Sequence, residues 1–135
     1  MADLRRRDFR VRSVDIKPID EWYQVFPDVE NVVADLKLKE EARRACTGAI
    51  HIYQLAADMG GMGFIENHRA LCMLSVLTNT HMLQGALEAG VERIFYSSSA
   101  CIYNVEKQRD PKVLPLKEED AYPAMPEDGY GWEKL

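Results

Sequence analysis

A chain of 135 residues is long enough for one domain with a modest core, and 47% apolar with 29% charged side chains marks it as folded rather than disordered. Its 17 basic and 22 acidic residues leave a formal charge of −5, which argues against a nucleic-acid surface. Three cysteines and three histidines lack CxxC, or HxxxH and HExxH with an acidic partner, so no metal site is expected; no apolar run approaches the roughly 18 residues of a membrane span.

In chain order, ADLRRR (2–7) reads as the last turns of a helix, with the basic run at 5–7 as its solvated end. FRVRSVD (9–15) alternates and closes on an acid, which suits a short strand. Lys17, Pro18 and Asp20 punctuate the segment after it. VENVVA (29–34) is a second strand closed by Asp35, and LKLKEEARRAC (36–46) a helix stopped by Gly48. AIHIYQLAA (49–57) is nearly filled with apolar residues and is expected to be a central strand. DMGGMG (58–63) is a glycine-rich turn, and 67–89 one long helix ended by Gly90. VERIFYSSS (91–99) is the next strand. Residues 104–128 hold four of the six prolines and read as loop with at most one helical turn; GYGWEKL (129–135) begins a helix.

Strands and helices alternating at this spacing predict an α/β fold with parallel pairing, since each return needs a crossover. Binding groups in such a sheet collect beyond the carboxyl ends of the strands. Asp15, Asp35, the stretch 56–63 and the stretch 97–101 all follow a predicted strand. Asp15 is placed to accept hydrogen bonds from adenosine ribose hydroxyls and to repel a 2′-phosphate, or simply to start a turn. Asp35 with Leu36 suits the adenine edge. Ala56 and Ala57 let a ligand approach the main chain, and Gly60, Gly61 and Gly63 expose backbone N–H groups, though no GK[ST] follows to make a P-loop.

FYSSSACIY (95–103) crowds three serines and a cysteine where a strand turns into loop. YGWEK places Tyr130 and Lys134 four residues apart, on one helix face. An ammonium near Tyr130 would favour the phenolate of a group whose ordinary pKa is about 10. With Ser99 these residues form a set able to move a proton while hydride passes to a nicotinamide. A thiol, with an ordinary pKa of roughly 8.5, can trade protons with a carbon beside a ketone; Cys101 is either such a group or an inert buried cysteine.

AADMGGMGFIENH, SSSACIY and YGWEKL closely resemble the extended short-chain dehydrogenase/reductase family, and within it the NAD-dependent epimerases acting on GDP-mannose. The resemblance runs along the whole chain. It implies a partial doubly wound Rossmann-type sheet with NAD as cofactor, a GDP-sugar as substrate and a possible homodimer. The charge balance, the cysteine usage and the absence of a long apolar run set the expectation of no nucleic-acid or membrane partner and a cytoplasmic location. Ser99, Cys101, Tyr130 and Lys134 then match catalytic positions. Asp15, Asp35, Leu36, Leu55, Ala56 and Ala57, with Tyr130 and Lys134, match the cofactor side; Gly60, Ser99, Ala100 and Cys101 match the sugar-nucleotide side. The implied reaction oxidises C4, epimerises C3 and C5 of the acidified 4-keto sugar, and reduces C4 again to give GDP-L-galactose. The alternatives are another NAD-dependent nucleotide-sugar epimerase or dehydratase, or a non-enzymatic relic of one.

Departures from the family pattern set further expectations. No GxxGxxG and no first strand precede ADLRRR, and a C-terminal sugar-nucleotide domain with its second acid/base lysine does not follow Lys134. The chain therefore reads as an internal fragment, inactive alone, covering part of an NAD-binding domain over 1–135. Strands two, three, four and five of the family order would either leave unpaired inner edges or close directly, strand two on strand four, across about 4.8 Å. Ser75 and His81 stand where the family usually has asparagines; the first of these positions helps hold the active-site backbone and its proton path.

Overall fold

The computed structural model describes residues 1–58, 60–109, 115–126 and 128–135, and of Met62 the backbone. Ala2–Arg6 (α1) is a short helix whose Asp3 pairs with Arg6 and Arg7 at 3.2 and 3.0 Å. Arg5 is no solvated end. It grips both carboxylate oxygens of Asp28 at 2.8 and 2.6 Å and lies 4.0 Å over the Phe26 ring, which holds Asp28 below the usual carboxylate range.

Arg12–Asp15 (β1) and Glu30–Val33 (β2) come next, joined through a 3₁₀ turn at Ile19–Glu21. The helix after β2 begins only at Lys39, running Lys39–Cys46 (α2). Its start is delayed because Asp35 Oδ1 accepts the Lys37 N–H at 2.9 Å and the Asp35 carbonyl accepts from Leu38 at 3.0 Å, a local turn that competes with the helix. Gly48, at φ +73°, ends this unit as expected. His51–Gln54 (β3) is shorter than the predicted strand, since Leu55–Ala57 leave the ladder.

A helix at Met62–Asn67 (α3) starts within the predicted glycine-rich turn, and the helix predicted over 67–89 is broken into two, Arg69–Met73 (α4) and Ser75–Glu88 (α5). Between α3 and α4 His68 adopts φ −127°, ψ 40°, with its ring stacked 4.5 Å from Phe64 and its Nδ1 3.0 Å from the Phe64 carbonyl. Met59, within the predicted glycine turn, lies outside the described residues. Gly90, at φ +70°, precedes Arg93–Tyr96 (β4). A 3₁₀ turn at Ala100–Ile102, Val105–Gln108 (α6), a second turn at Glu118–Ala121 and Gly129–Lys134 (α7) complete the order. Of the predicted proline-rich loop, 110–114 and Glu127 lie outside the described residues.

Both strand pairings are parallel: β1 with β2, Asp15 opposite Val33, and β3 with β4, Gln54 opposite Tyr96. Among the described residues no ladder joins the two pairs, so β1 and β3 do not close on each other directly. What unites them is one shared helical layer. Leu36, Ala42, Cys46, Met82 and Ala86 form a buried cluster against which Val14, Ile52, Ala56 and Ile94 pack. Gly85 permits this, since a Cβ there would stand 3.1 Å from the Arg43 backbone and 3.2 Å from Cys46 Sγ. The opposite face is open: Tyr53, Leu55 and Phe95 are each more than half exposed. The predicted central strand is therefore buried on one side only.

Candidate functional site

All four strand ends that the sequence singles out lie at the carboxyl ends of parallel strands. Asp15 ends β1 and is exposed, with Oδ1 accepting the Lys17 N–H at 3.0 Å. Asp35 lies two residues beyond β2. Leu36 turns inward and is buried in the core cluster. Beyond β3, Leu55 is exposed while Ala56 and Ala57 are half-buried, and Gly60 stands exposed above Phe64. Asp58 is held in place: its N–H donates to the buried Ser75 hydroxyl at 2.9 Å, and its carboxylate pairs with Lys37 at 3.2 Å. His81 Nδ1 lies 3.0 Å from the Lys37 carbonyl, which ties α5 to the same corner.

Beyond β4 the backbone turns at Ser99, whose Oγ accepts the Cys101 N–H at 3.2 Å. That bond fixes Ser99 and Cys101 relative to each other, as a serine at the head of a helical turn does. Helix α7 packs onto this turn. Its start is set by Asp128 Oδ1 accepting the Gly131 N–H at 2.9 Å, and Gly131 lets it approach because a Cβ there would collide with the Cys101 carbonyl. Tyr130 is buried with Ile65 and Cys72, with Phe64 and Cys101 at the edge of the cluster. The structure thus brings Ser99, Cys101, Tyr130 and Lys134 together at the end of β4, while Asp15 and Asp35 stand at the ends of β1 and β2.

Electrostatics refine the picture. Burial pushes the Tyr130 phenol up, and Cys101, Glu133 and Cys72 add to it, while a hydrogen bond with Ser99 pulls it down. The ammonium expected to favour the Tyr130 phenolate stands nearer another ring: Lys134 Nζ lies 4.7 Å from the Tyr96 centroid and 5.9 Å from that of Tyr130. Burial and the Glu133 carboxylate push the Tyr96 phenol well above its ordinary range.

Sequence reading passes over four residues that hold this site. Tyr96 Oη lies 2.8 Å from Glu133 Oε1, Asn79 donates to the same carboxylate, and Gln54 Nε2 donates to Asn79 Oδ1 at 2.8 Å. Only Gln54 carries a signal, as a polar residue within an apolar strand; the others reveal themselves only when α5, β4 and α7 meet.

The strand-end residues fit a nicotinamide dinucleotide in part. Asp15 is exposed, as a contact with a ribose hydroxyl would require, with Oδ1 engaged by the Lys17 N–H, and Ala56 and Ala57 put no bulk over the backbone at the β3 end. Among the described residues no three His, Cys, Asp or Glu side chains gather as a metal ion requires, and no helix is long and apolar enough to cross a membrane.

A family model described as the NAD dependent epimerase/dehydratase family matches residues 2–135. The chain is 44% identical over 104 residues to GDP-mannose 3,5-epimerase of Arabidopsis thaliana, covering 76% of this chain and 28% of that protein. It is 46% identical to GDP-mannose 3,5-epimerase 1 of Oryza sativa subsp. japonica, again over 104 residues, with 76% and 27% covered. The chain thus spans little more than a quarter of these relatives. Among solved structures, UDP-glucose 4-epimerase of Thermus thermophilus in complex with NAD superposes with a TM-score of 0.81 at 22% identity, over 98% of this chain and 42% of that one. A short-chain dehydrogenase/reductase superfamily protein from Agrobacterium tumefaciens with bound NAD gives 0.72 at 27% identity, over 99% and 37%.

Proposed function

The chain belongs to the NAD-dependent epimerase/dehydratase family, and from that membership we propose that its residues encode the catalytic half-site of a GDP-mannose 3,5-epimerase. In the complete enzyme, GDP-mannose would pass through a 4-keto sugar to GDP-L-galactose. One observation carries this reading: α7 seats Tyr130 and Lys134 against the turn that holds Ser99 and Cys101. A plain redox site at a carbinol carbon needs the phenol, the hydroxyl and the ammonium. It does not need a thiol two residues from the serine, whereas proton exchange at a carbon beside a ketone does need a group like Cys101.

The roles follow from the chemistry of each side chain. Tyr130 takes the proton of the C4 hydroxyl and later returns it, with Ser99 sharing the hydrogen bond. Cys101 exchanges a proton with a carbon next to C4, where the carbanion delocalises as an enolate. Asp15, and Asp35 with Leu36, serve the adenosine end, Leu55–Ala57 the strand end beneath the dinucleotide, and Gly60 with Ala100 the sugar nucleotide. When bound, NAD supplies a hydride acceptor and donor for C4. A homodimer and a cytoplasmic location belong to the same reading.

The test places residues 2–135 within a complete homologous enzyme. Changing Cys101→Ala is expected to cut solvent-deuterium exchange into C3 and C5 by about a hundredfold or more, with oxidation at C4 retained. Unaltered exchange at both carbons would remove Cys101 from the mechanism.

A further inference from the structure

Glu133 and Lys134 are neighbours in sequence, and adjacent residues on a helix do not face each other. Yet their charged groups meet: Nζ lies 3.6 Å from Oε2, with the two side chains only 4% and 1% exposed. The meeting is imposed from outside α7. Glu133 Oε1 accepts from Tyr96 Oη of β4 at 2.8 Å and from Asn79 Nδ2 of α5. Gln54 of β3 steadies Asn79 at 2.8 Å, and Ser98 Oγ donates to the Lys134 carbonyl at 2.8 Å. The carboxylate is thus anchored through three elements, and among the described residues Lys134 pairs with no other acid. At 3.6 Å, Oε2 is too far for a good hydrogen bond and stays buried without one, so its link to the ammonium is one of charge.

We propose that Glu133 is a positioning residue for the acid/base pair: it holds the Lys134 ammonium toward Tyr96 and thereby limits the positive charge that reaches the Tyr130 phenol. The inference rests on the functional reading of Tyr130 and Lys134 and adds a control on it. Among the described residues, Tyr130 is faced by Ser99 and Cys101 from the strand-end turn, Cys72 from α4, and Glu133 and Lys134 from its own helix. Tyr96 faces Glu133 and Tyr130, and Asp58 and Asp128 reach the cluster from the Cys72 side. Within this set Glu133 is the acid that touches Lys134, so its charge decides where the ammonium rests.

The experiment titrates Tyr130 in the 135-residue chain by NMR of ring-labelled tyrosine, with Tyr130→Phe identifying the resonance. Glu133→Gln keeps an oxygen to accept from Tyr96 and removes the charge. The Tyr130 midpoint is expected to fall by about one pH unit, a tenfold gain in acidity. Lys134→Met should then raise the midpoint further in the Glu133→Gln background than in the unaltered chain; an equal rise in both would overturn the proposal. A second measurement needs no substitution at either charge. Nuclear Overhauser contacts from the Lys134 side-chain end should be stronger to the Tyr96 ring than to the Tyr130 ring, and the reverse order would overturn the proposal. Neither readout involves turnover, so their failure strikes the positioning of Lys134 alone. Intact turnover after Tyr130→Phe in the complete enzyme would strike the acid/base reading instead.

Discussion

The Tyr96 hydroxyl, at the last residue of β4, donates to the Glu133 carboxylate of α7 at 2.8 Å, with the Glu133 backbone carbonyl at 2.9 Å. A strand end and a helix 37 residues apart in sequence are joined here by a hydrogen bond to a buried charge. Tyr96→Phe removes that donor and leaves the ring in place. Such a loss costs about 1–3 kcal/mol, because the carboxylate stays buried with one partner fewer. Urea unfolding followed by circular dichroism should show this, with the midpoint lowered and the slope unchanged. A change within about 0.5 kcal/mol, the range of ordinary surface substitutions, would mean the contact is not formed in solution.

The same two phenols set an alkaline limit. Burial raises both Tyr96 and Tyr130 above the ordinary tyrosine value of 10.0. In the unfolded chain each ionises near that ordinary value, while the folded chain still holds its proton. Their contribution to stability is therefore fully present below about pH 10 and declines as pH rises from there toward the folded pKa values. Thermal unfolding scanned from pH 8 to 11 should be flat on this account up to about 10 and then fall. Tyr96→Phe should flatten the alkaline fall. A fall that is equally steep in that variant would assign the loss to other groups.

Accessibility separates the three thiols. Cys46 and Cys72 are fully buried, and burial pushes both thiols up, whereas Cys101 is partly exposed at the strand-end turn. Thiolate is the reactive form, so iodoacetamide should label Cys101 first. Peptide mass spectrometry over a time course reads the order. Labelling of Cys46 at the same rate would show that the α2–α5 layer opens in solution.

Much of the fold is legible because its signals are local. Alternation and the closing acids mark β1 and β2, glycines at 48 and 90 end their helical units, and the spacing of strands demands parallel returns. What escapes is set by distance in sequence. The break at His68 depends on a ring stacking on Phe64, and the open face of Tyr53, Leu55 and Phe95 depends on helices lying on one side of the strands. At the site, the convergence of Tyr130 and Lys134 with Ser99 and Cys101 is suggested by residue types following strands. The support beneath it is not, because Glu133, Tyr96, Asn79 and Gln54 sit on four different elements and none has a motif of its own.

Gly131 offers a separate handle on that convergence. Helix α7 approaches the strand-end turn so closely that a Cβ at 131 would collide with the Cys101 carbonyl and stand 2.7 Å from the Pro126 Cβ. The obstacle on one side is main chain, fixed by the Ser99–Cys101 hydrogen bond, so it cannot turn aside as a flexible side chain would. Gly131→Ala gains helix propensity of up to about 1 kcal/mol, but overpacking costs typically about 1–3 kcal/mol, so the net effect is expected to be destabilising. More telling is where the strain goes: α7 must back away from the turn, carrying Tyr130 from Ser99 and Cys101. Amide exchange should then quicken at Cys101 and Gly131, while the α2–α5 layer around Cys46 and Met82 keeps its protection. Unchanged exchange at both positions, with no loss of stability, would mean that the helix does not seat against the turn.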